Sequence, residues 1–397
     1  MSIRDGGPLL TIPPGPPTSA ILARLEREVR DLWRGLPGEL PKSHVCMMNL
    51  VVAVPSRALA DRYTPVVDEV TAILPSCAII VALESAAPTR PLDGSAIAVC
   101  TPGEGGAVCS ERIRLDASGS VCARVASAVD ALIAPEVPTT LVWLGPVHAD
   151  DEVFTSMAGS AQRVILDTEY TSAASLLEVA RWSRGEEGRP AFADMAWTRI
   201  APWQDLCARF FDDPRTEHAE GITRVTIHQA SEVGAPLGSE GALLLGWLGN
   251  RLGWRAGRTG GALRVQRADG QAVQVQVGVV PRPEGVAPMA LASLTVESLT
   301  GGVALKGTIE RDLASGVEIS GKTADADVLT WRLDVSGQAT IEQRVRLRAN
   351  KGARVLERTL HRPMVDLVLI EAVEFAEHLF EDGIVVLGAY APSAVPS

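Results

Sequence analysis

The 397-residue chain is poor in aromatic residues, at 4%, with only three Tyr and six Phe. Its core has to come from Val, Leu, Ile and Ala, which an overall hydrophobic content of 46% allows. No stretch reaches the ~18 uncharged apolar residues that a membrane-spanning helix needs. The opening MSIRDGGPLLTIPPGPPTSA lacks the basic-then-apolar order of a signal peptide. Both absences set the expectation of a soluble, cytoplasmic protein. Positive charge is also short: 37 Lys and Arg against 48 Asp and Glu give a net charge of −11. Such a surface repels phosphate backbones and anionic lipid, so neither nucleic acid nor membrane is an expected partner.

Signatures of chemistry are missing too. The six cysteines form no C-x-x-C pair and fit no zinc spacing. Several lie in apolar runs, where Cys acts as a small hydrophobe; a Cys100–Cys109 disulfide across a hairpin is left open. No G-x-x-x-x-G-K-[ST] loop and no G-x-S-x-G elbow occurs. A dinucleotide-binding sheet would carry G-x-G-x-x-G after its first strand. Here that strand ends in Val54-Pro55-Ser56-Arg57, without glycine and with one N–H removed by Pro55. The glycines of TPGEGGAV (101–108) sit between two strand patterns and read as a turn. The expectation is therefore no cofactor, no metal and no catalytic residue.

Three clusters come nearest to a site. His148 follows a strand, and with Asp150 or Asp151 it offers a ligand or metal loop. The plainer reading has Asp150 capping the next helix and Asp151 in its first turn. Glu371, Glu374 and His378 share a helical face but have no matching helix, so they read as a solvated face. His44, His218, His228 and His361 are scattered without an evident partner.

What is present is a change of grammar near residue 213. Residues 1–17, rich in Pro and Gly, read as a flexible arm. From 18 to 213 helical patterns alternate with apolar runs. ILARLEREVRDLW is the first helix, and 45–54, 77–83, 139–145 and 163–168 are strands. Helices are expected at 56–74, 120–134, after Asp151, and at 172–184. Pro65 predicts a kink or break in the second. SAIAVC and AVCSERIRL form a hairpin. This half is expected to be an α/β domain on a mostly parallel, Rossmann-like sheet that lacks the glycine-rich loop. From 214 to 397, TRVTIHQA and seven later period-two runs accompany helices at 239–253 and 364–380. The expectation there is an α+β domain on an antiparallel sheet.

The eight tryptophans need a reason each. AWTRIAPWQDLCARFFDD (196–213) places Trp197 and Trp203 around Arg199 and Pro202, with Pro202 at the first position of a helix. It has no catalytic base, since Arg199 stays protonated. Two readings remain open: an internal joint between the halves, or a hot spot for a protein partner. GSEGALLLGWLGNRLGWR (238–255) adds Trp247 and Trp254, seven residues apart, as core or as an interface stripe. The candidate partner-binding set is Trp197, Thr198, Arg199, Pro202, Trp203, Trp247 and Trp254.

MNLVVAV, LVWLGPVHADDEVF, RVILDTEY, DMAWTRIAPWQDLCARFFDD and ALLLGWLGNRLGW occur in that order. Together they resemble the OpcA family of glucose-6-phosphate dehydrogenase assembly proteins, most clearly over Asp194–Asp212, across roughly residues 20–255. The resemblance implies a non-catalytic activator that binds glucose-6-phosphate dehydrogenase and promotes its active oligomer in the oxidative pentose phosphate pathway. A small-molecule or nucleotide-binding enzyme or sensor using the strand ends near His148 and Asp167, and a scaffold for another enzyme, are the alternatives.

Overall fold

The alternating apolar runs of the first half build one eight-stranded sheet. The computed structural model describes residues 18–35, 42–44, 46–103, 106–169, 173–212, 214–259, 262–284, 286–313, 326–348, 352–381 and 388–389; the expected arm at 1–17 lies outside them. The elements run α1 (Thr18–Gly35), β1 (Lys42–His44), β2 (Asn49–Val54), α2 (Arg57–Ile73), β3 (Cys77–Glu84), β4 (Arg90–Gly103), β5 (Gly106–Ser118), α3 (Val125–Asp130), β6 (Thr139–Leu144), α4 (Glu152–Ala158), β7 (Arg163–Asp167), α5 (Ala173–Gly185), β8 (Ala191–Asp194) and α6 (Met195–Ala208). The strand order is β1-β5-β3-β2-β6-β7-β8, all parallel, with β4 antiparallel on β5. In that hairpin Cys100 and Cys109 are register partners; their side chains lie outside the described residues.

Alternation along each strand divides the interior. Leu50, Val52 and Val54 of β2 face one apolar layer, with Ala60, Val67 and Val70 of α2. Val51 and Ala53 face the other, with Phe154, Leu176 and Trp197. A strand buried on both faces is the mark of a parallel sheet covered by helices. The expected helix at 120–134 is a 3₁₀ turn, Gly119–Arg124, followed by the single α-turns of α3. Pro65 does not break α2, which runs unbroken through it. Cys46 and Cys77, read as separate apolar residues, are joined by a disulfide with Cα atoms 5.4 Å apart. The parallel register sets Cys77 opposite Asn49, three residues after Cys46, a proximity that sequence spacing alone does not show.

The second half continues with α7 (Glu217–Glu220), β9 (Ile222–Ala230), α8 (Ser239–Arg251), β10 (Arg255–Thr259), β11 (Ala262–Gln266), β12 (Ala272–Val280), β13 (Ala290–Thr300), β14 (Val303–Arg311), β15 (Ala326–Val335), β16 (Ile341–Arg348), α9 (Ala353–His361), α10 (Leu367–Glu381) and β17 (Gly388–Ala389). Its nine-stranded sheet has the order β10-β11-β12-β9-β13-β14-β15-β16, with β17 on β12. The sheet is mixed and not purely antiparallel: β12 runs parallel to β9 and to β17. The chain leaves β9 through α8, and that crossover returns β12 in the same direction. Two helices of this half, α7 and α9, are absent from the sequence expectation, and α9 leaves the second sheet. Its Ala353, Val355 and Leu356 pack with α2 on the outer layer of the first sheet.

Helix α8 lies against α10 through two glycines. A Cβ on Gly246 would collide with the Ala372 carbonyl, and one on Gly249 with the Phe375 ring. Gly246→Ala is expected to cost about 1–3 kcal/mol, as overpacking does. Gly249→Ala is expected to cost less, because a ring can swing and a backbone carbonyl cannot. Urea unfolding of the two variants measures the pair; a neutral Gly246→Ala would contradict the close approach of the two helices.

Candidate functional site

The W-T-R-x-x-P-W segment forms α6, between the two sheets. Asp194 closes β8 and caps the helix, its Oδ1 accepting the Ala196 N–H at 2.7 Å and the Thr168 hydroxyl at 3.0 Å. The helix thus starts at Met195, and Pro202 sits inside it. The expectation that Pro202 opens the helix is corrected by this cap, which lies eight residues upstream of Pro202. A proline at that point leaves the Thr198 carbonyl without its intrahelical amide donor.

Several polar groups of α6 meet partners from other elements. The Arg199 guanidinium grips Asp167 at the end of β7 with two bonds, 2.8 and 3.0 Å, and lies 3.4 Å from Glu169. Burial works against the Arg199 charge, but Asp167 and Glu169 outweigh it and hold its pKa above the ordinary arginine value. The Trp197 indole N–H donates to Asp366 Oδ2 at 3.0 Å, and the Arg362 guanidinium lies 5.8 Å over the same ring. The Thr359 hydroxyl donates to the Val355 carbonyl at 2.7 Å, so at the 2.8 Å Thr198–Thr359 contact Thr198 is the donor. On the far side Arg311 of β14 covers the Trp203 ring at 5.5 Å and faces Glu240 of α8 at 3.8 Å. The Trp331 indole donates to the Leu206 carbonyl at 2.9 Å, and Phe210 stacks on Trp331 at 5.3 Å. A side chain at Gly307 would strike the Phe210 ring.

These contacts place the predicted residues. Trp197, Thr198, Arg199 and Trp203 are 2%, 2%, 4% and 0% exposed, so as they stand they form an internal joint and offer no surface. Trp254 is buried as well. Pro202 and Trp247 alone of the set are partly exposed. Sequence reasoning named Asp167 only as a strand end of the alternative ligand site and Asp194 only as the start of the family-like stretch, and it did not single out Glu169, Tyr63 or Asp366. The signal available for Asp167 and Asp194 was position: both end strands of a parallel sheet, where α/β folds gather polar groups.

The joint holds unusual protonation states. Burial is the main cause that pushes the Asp194 carboxyl up to about 8; nearby Asp167 adds to it, while the accepted bonds from Ala196 and Thr168 oppose it. Among the described residues its buried Oδ2 has no hydrogen-bond partner, which suits a neutral acid. Burial and Asp167 also raise the Tyr63 phenol, whose hydroxyl lies 3.9 Å from Met195 Sδ. Burial pushes the Cys207 thiol up to about 12, which leaves it inert as a nucleophile.

The other candidates make local contacts. His148 is exposed and sits 3.3 Å from Glu178, which also accepts the Ala149 N–H. The helix cap is Asp151, not Asp150, accepting from Val153 and Phe154; Glu152 supplies the acidic first turn. Glu371 and Glu374 face Arg251 and Arg184. His218 is buried against Ser298. Among the described residues no group of three or more His, Cys, Asp or Glu is placed to hold a metal ion, and no helix is long and apolar enough to cross a membrane. After β2, the Ser56 hydroxyl caps α2 and the Pro55 ring packs on Gly145, whose φ of +117° only glycine adopts readily. Arg57 is shared there by Glu84 and Asp116.

Two outcomes follow for the joint. Arg199→Met is expected to destabilise by about 3–5 kcal/mol, because Asp167 is left buried without its cation; Arg199→Lys is expected to recover only part, since an ammonium cannot make the two-pronged bond. Chemical denaturation measures both, and a near-neutral Arg199→Met would refute the pairing. For Asp194 the folded pKa is raised, so its stabilising contribution is full below about pH 4 and is lost as pH rises to about 8. Asn at this position mimics the neutral acid. The melting temperature of Asp194→Asn should therefore gain on the wild type between pH 5 and 8.5; a constant difference across that range would exclude a neutral Asp194.

Two family models match the chain in series. Residues 67–181 match the glucose-6-phosphate dehydrogenase subunit N-terminal domain, and residues 190–373 match the C-terminal domain of the same subunit. A protein of Synechococcus elongatus named "Putative OxPP cycle protein OpcA" is 26% identical over 205 residues, 51% of this chain and 45% of the relative. A Synechocystis protein of the same name is 29% identical over 150 residues, 37% of this chain and 30% of the relative. The matched regions thus span less than half the length of these relatives. Among solved structures, GenD2 from gentamicin A biosynthesis, in complex with NAD, overlaps with a TM-score of 0.43 at 12% identity, covering 88% of this chain and 97% of that one. Levoglucosan dehydrogenase in complex with NADH overlaps at 0.38 and 12%, covering 88% and 92%. With both domain models matched in order across its two halves, the chain belongs to the OpcA family of glucose-6-phosphate dehydrogenase subunits.

Proposed function

We propose that the chain is a non-catalytic assembly factor that binds glucose-6-phosphate dehydrogenase and favours its active oligomer, acting as an allosteric activator in the oxidative pentose phosphate pathway of the cytoplasm. The observation that carries this reading is the paired match to both domains of the glucose-6-phosphate dehydrogenase subunit family. The strand ends support it. Where a parallel sheet usually presents its chemistry, β2 ends in Pro55 and a self-capped helix, and β3 and β5 end in carboxylates paired with Arg57. A phosphate placed there would meet acids and a missing N–H. The ends of β7 and β8 are filled by the Asp167–Arg199 pair and the Asp194 cap.

The buried state of Trp197, Arg199 and Trp203 gives them an indirect part in docking: they fix how the two sheets stand, and thereby the surface outside. The test mixes the purified chain with glucose-6-phosphate dehydrogenase and follows NADPH formation and sedimentation. Activity is expected to rise at least about fivefold, the lower end of ordinary allosteric coupling, with a new species of higher mass. Unchanged rate and mass at saturating chain would refute the proposal, and so would turnover by the chain alone.

A further inference from the structure

One face of the nine-stranded sheet is packed and the other is open. Val225 and Ile227 of β9 and Leu294 and Val296 of β13 are buried in one apolar cluster with α8 and α10. Their alternates point the opposite way and remain half-buried or exposed. Register sets these outward residues in rows. Gln276, Thr226, Thr295 and Thr308 stand side by side across β12, β9, β13 and β14, and Arg332 of β15 continues the row. Small threonines let a second flat surface approach closely. Strands β12, β9, β13, β14, β15 and β16 are neighbours in that order. At about 4.8 Å spacing and roughly 30 Å length they form a face of about 800 Å², about what each partner contributes to a stable pair of proteins.

The charges of this face decide what fits it. Copies of a chain with net charge −11 repel one another, so an interface between them needs a face where both signs are matched. Arg224 donates to Glu297 at 3.0 Å and Arg332 to Glu342 at 2.6 Å. Among the described residues Lys306 and Glu310, both exposed on β14, form no ion pair. The register neighbours of Lys306 are Glu297, held by Arg224, and Asp334, held by Thr340. Those of Glu310 are the uncharged Ser293 and Thr330. Burial holds nearby His228 below the ordinary histidine value against the pull of Glu310, so at neutral pH it carries no charge to match that acid. Four residues apart on one strand, Lys306 and Glu310 stand about 13 Å from each other, too far to pair within the chain. Thr308 lies midway between them. A two-fold axis along the threonine row, in the plane between two facing sheets, sets Lys306 of each copy against Glu310 of the other. Thr308 then meets Thr308, and Arg332 meets its own copy with its charge already matched by Glu342. We propose that the open face of the second sheet is a self-complementary interface, on which two copies of this chain pair through reciprocal Lys306–Glu310 contacts.

Sedimentation of the full chain alone tests the pair. The wild type is expected to double its mass as concentration rises. Lys306→Glu and Glu310→Lys each set like charges face to face, and each is expected to weaken the dimer at least about tenfold. The double variant, Lys306→Glu with Glu310→Lys, is expected to return to within about threefold of the wild type. Circular dichroism of each variant is expected to match the wild type, since both positions are exposed. Should a reversal misfold, Lys306→Met and Glu310→Gln give a smaller loss in the same direction. A wild type that stays monomeric up to about 0.1 mM would overturn the interface. So would a dimer indifferent to both reversals, or a double variant that stays apart. A monomeric wild type whose binding to glucose-6-phosphate dehydrogenase is lost in Lys306→Glu would assign the face to that enzyme and overturn the pairing of copies.

Discussion

A buried arginine clamped on a strand-end aspartate organises this molecule. Arg199 and Asp167 lie where the parallel sheet of the first half meets the mixed sheet of the second. Such a pair adds little net stability, since desolvating both charges offsets most of their attraction. Its effect is on geometry. A guanidinium with two bonds to one carboxylate has a single good orientation, so α6 is locked in both position and rotation. Every other contact of the helix then follows: Trp197 toward the α9–α10 corner, Thr198 toward α9, and Trp203 and Leu206 toward β14 and β15.

The joint explains why so many aromatic residues gather in a chain that has few. A helix wedged between two sheets must fill an irregular space, and Trp and Phe do this with large, rigid side chains. Their polar edges reach out through the packing. Asp366 is the hinge of that arrangement: it accepts the Trp197 indole, pairs with Arg362 and caps α10. A surface corner is therefore wired to a buried core residue by one carboxylate. The α9 excursion onto the first sheet ties the last part of the chain to the first, so the halves read from sequence share an apolar layer.

Much of the first sheet was legible. Val- and Ile-rich runs such as CAIIVAL can be satisfied only between two covered faces, and they became central parallel strands. Four-residue β8 escaped because AFAD is too short to show a period. The start of α6 was misplaced because proline is the stronger written signal, while the true cap, Asp194, is also a strand end. The parallel β9–β12 pair was hidden, since period-two runs look alike in either direction. The tryptophans of 196–213 could not be assigned inward or outward. The partner that settles Trp197 is Asp366, 169 residues away, and composition carries no record of it. The Cys46–Cys77 bond was concealed for the same reason.

Hydrogen exchange along the chain, with and without glucose-6-phosphate dehydrogenase, separates joint from surface in one measurement. Amides of 195–208 are expected to be equally protected in both states, with new protection confined to surface segments outside that helix. Protection of 195–208 that appears only on binding would contradict a preformed internal joint. Strand ends that gain protection from a nucleotide or sugar phosphate in place of the protein would contradict a docking role.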